Sequence, residues 1–221
     1  MRADSTTVIL AAICGNMALA CIKLLAASAT HSSAMLAESI HSGIDMGNGL
    51  LLLWGLKQSQ RPASRMHPFG HGLELYFWTF VVAVLVFGVG GGLSLYEGIQ
   101  HLLHPRPMQH VLWNYAVLGC GFLFEGSTLY VAVREFAATK GEHTVWEAIQ
   151  RAKDPSLFSV LLEDAAAVLG LVIAATCISL SLLFNNPYFD GAASIVIGLL
   201  LMAVAWILAY ESRSLLIGES A

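Results

Sequence analysis

Charged residues are scarce in this sequence. The 11 Lys and Arg and 15 Asp and Glu make up 12% of 221 residues, against about 25% in an average soluble domain. Hydrophobic residues account for 57%, and the mean hydropathy is +0.69. No basic patch suggests a nucleic-acid partner. This composition excludes an ordinary soluble domain and predicts an all-α, polytopic membrane protein.

Two zinc-related sequence patterns are missing as well. The four cysteines, Cys14, Cys21, Cys120 and Cys177, form no CxxC pair and lie in apolar stretches, so we interpret them as packing residues. No HExxH motif would place a general base beside a catalytic zinc. The sequence therefore argues against an intramembrane metallohydrolase, and we do not expect an enzyme.

Six apolar stretches, each near the ~20 residues that cross a bilayer, predict six transmembrane helices. They form a single transmembrane domain over residues 1–221 and cover about 7–28, 34–56, 74–100, 111–138, 157–184 and 189–210. The first stretch is too long for a signal-peptide core, which has about 7–15 residues.

Basic residues indicate the orientation of these spans. They gather before span one and after spans two, four and six, at Arg2, Lys57, Arg61, Arg65, Lys140, Arg151, Lys153 and Arg213. The positive-inside rule then places both termini in the cytoplasm or the equivalent compartment. Lys23, inside span one, is expected to extend its ammonium group to the opposite membrane surface.

Span two carries ionisable side chains in apolar surroundings. Glu38, His41 and Asp45 follow one another at spacings of three and four, and Asn48 lies three residues further on, so all four share one helix face. Ionisable groups at that depth cost about 2.5–3.5 kcal/mol each on insertion scales. We interpret the stripe as a set of metal ligands. The alternative is a polar contact between helices, with Glu38 only in a vestibule.

Span five carries Glu163 and Asp164, which point about 100° apart on a helix. We expect one to face the ion and the other a neighbouring helix or an access path; hydrogen bonding between helices is the alternative. Together with His41 and Asp45 they form a set of one imidazole and several carboxylates, which suits Zn²⁺. Co²⁺, Mn²⁺ and Fe²⁺ stay open, because selectivity depends on geometry as well as affinity.

Three further features are candidates. His67 and His71, in the HPFGHG loop, form a second candidate metal pair, or they cap the loop or contact lipid headgroups. Glu125 in span four has no basic partner at helical spacing. Like Glu38 and Asn48, it is a candidate proton relay or support for the ligands, or else a hydrogen-bonded interior group. Gly88 and Gly92 form a G-xxx-G pattern in span three that predicts close helix approach and suggests a dimer face.

Several stretches resemble the cation diffusion facilitator (cation efflux) family of divalent-metal/proton antiporters. They are AESIHSGIDMGNGLLL in span two, RPASRMHPFGHGLELYFW before span three, YEGIQHLLHP at its end, and the closing SLLIGES. The segment LLEDAAAVLG resembles the branch of mitochondrial-type zinc transporters and their bacterial relatives. The resemblance implies a homodimer in a bacterial inner membrane or an organelle membrane. It also implies Zn²⁺ as transported substrate, proton exchange and alternating access.

By this resemblance the family's ligands in span two fall on His41 and Asp45, and its aspartate in span five falls on Asp164. The family usually has His or Asp four residues before that aspartate, where this chain has Val160. The resemblance therefore leaves the fourth position to Glu163, Asn48 or water.

The same resemblance assigns a loop metal site to His67 and His71 plus an acidic residue, but Ser64 and Arg65 stand in that region. The family's C-terminal cytoplasmic domain is expected to be absent, because the sequence stops at Ala221 soon after the last span. A naturally short form and a truncated one both fit.

The sequence as a whole predicts a proton-coupled Zn²⁺ efflux transporter. The alternatives are a Mn²⁺, Fe²⁺ or Co²⁺ transporter of the same family, and a metal-binding membrane subunit or sensor that does not transport.

Overall fold

Six long helical stretches make up the computed structural model, which describes residues 3–140 and 155–217. The third stretch is continuous but contains a π-helical segment in its middle. The elements are α1 (Ala3–Thr30), α2 (Ser33–Ser59), α3 (Glu74–Leu85), the π segment (Val86–Gly91), α4 (Gly92–Leu103), α5 (Val111–Lys140), α6 (Pro155–Leu183) and α7 (Tyr188–Ile217).

Five of the six stretches are long and apolar enough to cross a membrane. The remaining stretch, α2, has 27 residues, but its polar stripe lowers its hydropathy. The prediction of an all-α, multi-pass membrane protein is thus confirmed. The cytoplasmic placement of the termini stays a prediction. Arg2, Arg151 and Lys153, three of the basic residues behind it, lie outside the described residues, as do residues 218–221 of the closing segment.

Helix α2 lies at the centre of the bundle and packs against α1, α3, α6 and α7. Its first turns bury Ala34, Met35 and Ala37 completely. These residues belong to a core that Leu171 of α6 and Ile197 of α7 complete. A helix enclosed in this way points its polar stripe at other helices rather than at lipid, which is the arrangement that intramembrane ionisable groups require.

The start of α2 is tied to α7 by a buried carboxylate. The Ser32 hydroxyl caps the helix by accepting a hydrogen bond from the Met35 N–H at 3.2 Å. Asp190 of α7 accepts bonds from the Ser32 hydroxyl and from the Ser33 N–H, both at 2.6 Å. A negative charge at a helix N-terminus is stabilised by the helix dipole. Asp190 therefore fixes how α2 sits against α7.

The cysteines do not occupy the positions expected of packing residues. Cys14, Cys21 and Cys120 are exposed on the outer faces of their helices, and Cys177 is half-buried. The interpretation of the first three as packing residues is wrong. In a membrane helix an apolar neighbourhood surrounds the lipid-facing side as well as the interior.

Close helix approach occurs at glycines other than Gly88 and Gly92. A Cβ added at either of these two positions would meet nothing within 4 Å. The tight contact instead joins α4 and α7 at Gly98, whose added Cβ would lie 2.8 Å from the Ile195 nitrogen and 2.9 Å from the Gly191 oxygen. A π-helical turn rotates the residues that follow it relative to an uninterrupted α-helix. Gly88 and Gly92 therefore make no close helix approach within the part of the chain that the structure describes, and their place in a dimer face stays a prediction.

Gly98→Ala is expected to destabilise the protein by about 1–3 kcal/mol, because overpacking against backbone atoms cannot be relieved by a side-chain rotation. Gly92→Ala, on the same helix, is the matched control and should leave stability unchanged or slightly raised, since Ala favours helix over Gly. Thermal unfolding of both purified variants in detergent measures the difference. Equal unfolding midpoints would contradict the packing described for Gly98.

Candidate metal site

His41 is buried on α2, and Asp45, one turn further on, is half-buried beside it. The His41 Nε2 lies 3.6 Å from the Asp45 Oδ2, too far for a hydrogen bond, and the imidazole is 2% exposed. Neither imidazole nitrogen has a hydrogen-bond partner, nor has the Asp45 Oδ1. Buried polar atoms without partners are costly and rare. The predicted pair therefore presents free ligand atoms to the interior.

A cavity of about 250 Å³ opens beside Asp45 between α1, α2, α5 and α6. Four carboxylate side chains stand on its walls, from three different helices, together with polar groups of α1 and α5. The lining includes Asn16, Asp45, Glu125, Thr128, Val160, Glu163 and Asp164.

Glu163 and Asp164 both line this cavity, although they point to different neighbours. Glu163 is 7% exposed and lies beside Asn48 of α2. Asp164 lies beside Thr128 of α5. Each keeps one carboxylate oxygen without a hydrogen-bond partner. The two adjacent side chains thus reach the same cavity in different directions, and α6 is unbroken at this point.

The carboxylates around the cavity act on one another electrostatically. Asp45 interacts with Glu163, Glu125 and Asp164, and also with the Lys23 ammonium group. Within residues 3–140 and 155–217, however, no three side chains of His, Cys, Asp or Glu are gathered closely enough to hold one metal ion. That His41, Asp45, Asp164 and Glu163 share an ion therefore stays a prediction.

Lys23 does not extend to the membrane surface as expected. Its side chain is 0% exposed, with the ammonium nitrogen 2.9 Å from the Glu38 Oε2 and 2.6 Å from the Glu125 Oε1. The prediction is wrong because two carboxylates, from α2 and α5, hold the ammonium group between the helices. Lys23, Glu38 and Glu125 form what we call the buried triad. Sequence spacing could not reveal it, since its pairs are 15 and 102 residues apart.

The remaining members of the span-two stripe also face the interior. Glu38 places its Oε1 against Gly170 of α6, so a larger residue at position 170 would displace it. Asn48 is 1% exposed, and neither atom of its amide group has a hydrogen-bond partner. The stripe therefore extends from the buried triad, through His41 and Asp45, to the contact with Glu163.

The second candidate pair, His67 and His71, lies in the loop between α2 and α3. The two rings are 4.3 Å apart and line a cavity of about 390 Å³. Glu74, at the start of α3, lines the same cavity and accepts a hydrogen bond from the Trp78 indole. Glu74 is thus an acidic residue beside the two histidines that the sequence analysis passed over, although its spacing of three from His71 could have indicated it.

A further cavity, of about 490 Å³, lies at the opposite end of the bundle. His101, 6% exposed, lies on its wall with its Nε2 3.8 Å from the Asp190 Oδ2. Its charged and titratable lining also includes His31, Tyr96, Glu97, His104 and Arg106. This cavity could not be predicted from sequence, because its walls come from α1, the α1–α2 loop and α2 together with α4, which is distant from them along the chain.

Fold and cavity together define a multi-pass membrane protein with an acidic interior. The sequence profile of the cation efflux transmembrane domain matches residues 9–217. The chain belongs to the cation efflux family, a family of transporters, as the resemblance of spans two and three predicted.

Curated relatives support membership of this family. The mitochondrial proton-coupled zinc antiporter SLC30A9 of Xenopus laevis is 41% identical over 216 residues, which is 96% of this chain and 38% of the relative. The human protein of the same name is 39% identical over the same coverage. Metal tolerance protein C4 of Arabidopsis thaliana is 38% identical over 192 residues, 86% of this chain and 42% of the relative. The chain thus spans about two-fifths of the length of these relatives.

Proposed function

We propose that this chain moves Zn²⁺ across the membrane in exchange for protons, with the ion bound between α2 and α6 by His41, Asp45, Asp164 and Glu163. The observation that carries the proposal is the interior cavity, where Asp45, Glu163 and Asp164 present unpartnered carboxylate oxygens. Relatives that match nearly the whole chain are named proton-coupled zinc antiporters.

Zinc favours the proposed ligand set, because it accepts imidazole nitrogen and carboxylate oxygen in a tetrahedral arrangement. The His41 nitrogens and the carboxylates also bind protons, so metal and protons compete for the same atoms. This competition is the chemical basis of an exchange in which one substrate displaces the other.

Transport requires the site to change shape. The ligands now stand on different walls of the cavity, and a displacement of α6 against α2 would bring Asp164 towards His41 and Asp45. Such a displacement would also open the site to one side of the membrane at a time, which is how alternating access works. His67, His71 and Glu74 are proposed as a second zinc site outside the membrane-spanning stretches.

The proposal includes two further points. The chain transports and does not catalyse a covalent reaction, in keeping with its family. It works as a homodimer, which the resemblance implies; counting the copies in each lipid nanodisc measures this.

Flux through proteoliposomes tests the function. Purified protein in vesicles with an acidic lumen that contains a zinc-sensitive dye should take up Zn²⁺, and uptake should alkalinise the lumen, because protons leave as zinc enters. Protein-free vesicles and vesicles with a proton ionophore are the controls. A panel of Zn²⁺, Mn²⁺, Fe²⁺ and Co²⁺ ranks the substrates.

The outcomes separate the alternatives. Uptake of Mn²⁺, Fe²⁺ or Co²⁺ in preference to Zn²⁺ would keep the family function but replace the substrate. Zinc binding without flux of any of the four metals would identify a non-transporting metal-binding subunit or sensor and overturn the proposal.

A further inference from the structure

We infer that Glu125 of α5 supplies the metal-binding oxygen that this chain lacks at Val160, and that Lys23 is the residue that positions it. The inference rests on the proposed function, and it adds a third helix to a site otherwise built from α2 and α6.

The first observation concerns the free oxygen of Glu125. The side chain is 5% exposed and lines the cavity together with Asp45, Glu163 and Asp164. Its Oε1 is held by Lys23 at 2.6 Å and lies 3.4 Å from the Ser42 hydroxyl, whereas its Oε2 has no hydrogen-bond partner. One oxygen is thus anchored and the other is available to a cation.

The second observation concerns what Lys23 does to the two carboxylates of the buried triad. It binds both, but only Glu125 lines the cavity; Glu38 places its remaining oxygen against Gly170. A charge-assisted contact of 2.6 Å fixes the orientation of a carboxylate more firmly than a neutral bond would. Lys23 therefore orients Glu125 without itself reaching the ion.

The third observation concerns the position that lacks a ligand. Val160 lines the same cavity as Glu125, one turn before Asp164 on α6. Val160 offers no ligand atom from this turn of α6, whereas Glu125 stands on the α5 wall of the same space. A carboxylate from α5 compensates for the valine on α6.

Two matched substitutions test the inference. Glu125→Gln and Glu38→Gln each neutralise one carboxylate of the buried triad and leave Lys23 paired with the other, so their effects on folding should be similar. Zinc is titrated into each purified protein in nanodiscs against a zinc-chelating dye, with His67→Ala and His71→Ala present throughout to remove the loop pair. Glu125→Gln is expected to weaken zinc binding by about 10-fold or more, and Glu38→Gln to stay close to the starting value.

A rescue makes the test specific. Val160→Asp restores an oxygen at the position where the resemblance expects a ligand, and Asp is no larger than Val. Adding it to Glu125→Gln should recover most of the lost zinc affinity. A merely structural role of Glu125 would not respond to a carboxylate on α6.

The outcomes are distinguishable from failure of the proposed function. No zinc binding by the starting protein would overturn the proposed function itself. Zinc binding that Glu125→Gln and Glu38→Gln weaken equally, without rescue by Val160→Asp, would overturn only the role of Glu125. If Glu125→Gln does not fold, Glu125→Asp decides. This variant keeps a carboxylate beside Lys23 but shortens its side chain. If Glu125→Asp binds zinc as tightly as Glu38→Asp does, the inference is refuted.

Discussion

Asp45→Ala and Asp164→Ala are each expected to abolish zinc transport while the protein stays folded. Each substitution removes one carboxylate from the same cavity, Asp45 from the α2 wall and Asp164 from the α6 wall. Asp45 and Asp164 also repel one another and their acidic neighbours, so loss of one of them relieves repulsion between buried like charges. The stability of each variant should therefore not fall. Zinc binding should be lost, because the proposed site has only a few ligands and each variant removes one.

Zinc uptake by proteoliposomes measures this effect, and thermal unfolding in detergent confirms that each variant is folded. Glu97→Gln is the control, because Glu97 is an acidic residue that lines the cavity at the opposite end of the bundle. It should retain most of the flux. Wild-type transport by Asp164→Ala would remove Asp164 from the proposed site, and wild-type transport by Asp45→Ala would remove Asp45.

The parts of the fold that could be predicted from sequence are those set by local composition. Apolar length fixes a membrane helix, because every backbone polar group in a bilayer must be satisfied within the segment. The spacing of Glu38, His41, Asp45 and Asn48 fixes a common helix face in the same local way. Both predictions need only neighbours a few residues apart.

The parts that could not be predicted depend on how helices pack. Lys23 was expected at the membrane surface, and Glu125 has no basic residue at helical spacing, yet the two are partners across 102 residues. Similarly, Gly88 and Gly92 stay open, whereas Gly98, which follows the π segment Val86–Gly91, lies against α7. Both results depend on which faces of two helices meet, and hydropathy along the chain does not contain that information.

The buried triad makes Lys23 important for stability, because one ammonium group pairs with two buried carboxylates. Lys23→Met keeps most of the apolar part of the side chain, one atom shorter, but leaves Glu38 and Glu125 as unpaired carboxylates in the membrane interior. Removing one partner of a buried ion pair costs about 3–5 kcal/mol. We expect a markedly lower unfolding midpoint and a lower yield of folded protein than for Lys57→Met, which removes the same charge at an exposed position.

The triple variant Lys23→Met, Glu38→Gln, Glu125→Gln removes all three charges but keeps side chains of similar size, so it distinguishes the effect of charge from that of packing. Replacement of a whole buried ion cluster by neutral groups of similar size is often neutral or stabilising, so the unfolding midpoint should return towards the wild-type value. If Lys23→Met alone is as stable as Lys57→Met, the triad does not exist as described. If the triple variant recovers the unfolding midpoint but still binds zinc weakly, the triad has a role in zinc binding, since a purely structural cluster would recover the unfolding midpoint and the zinc affinity together.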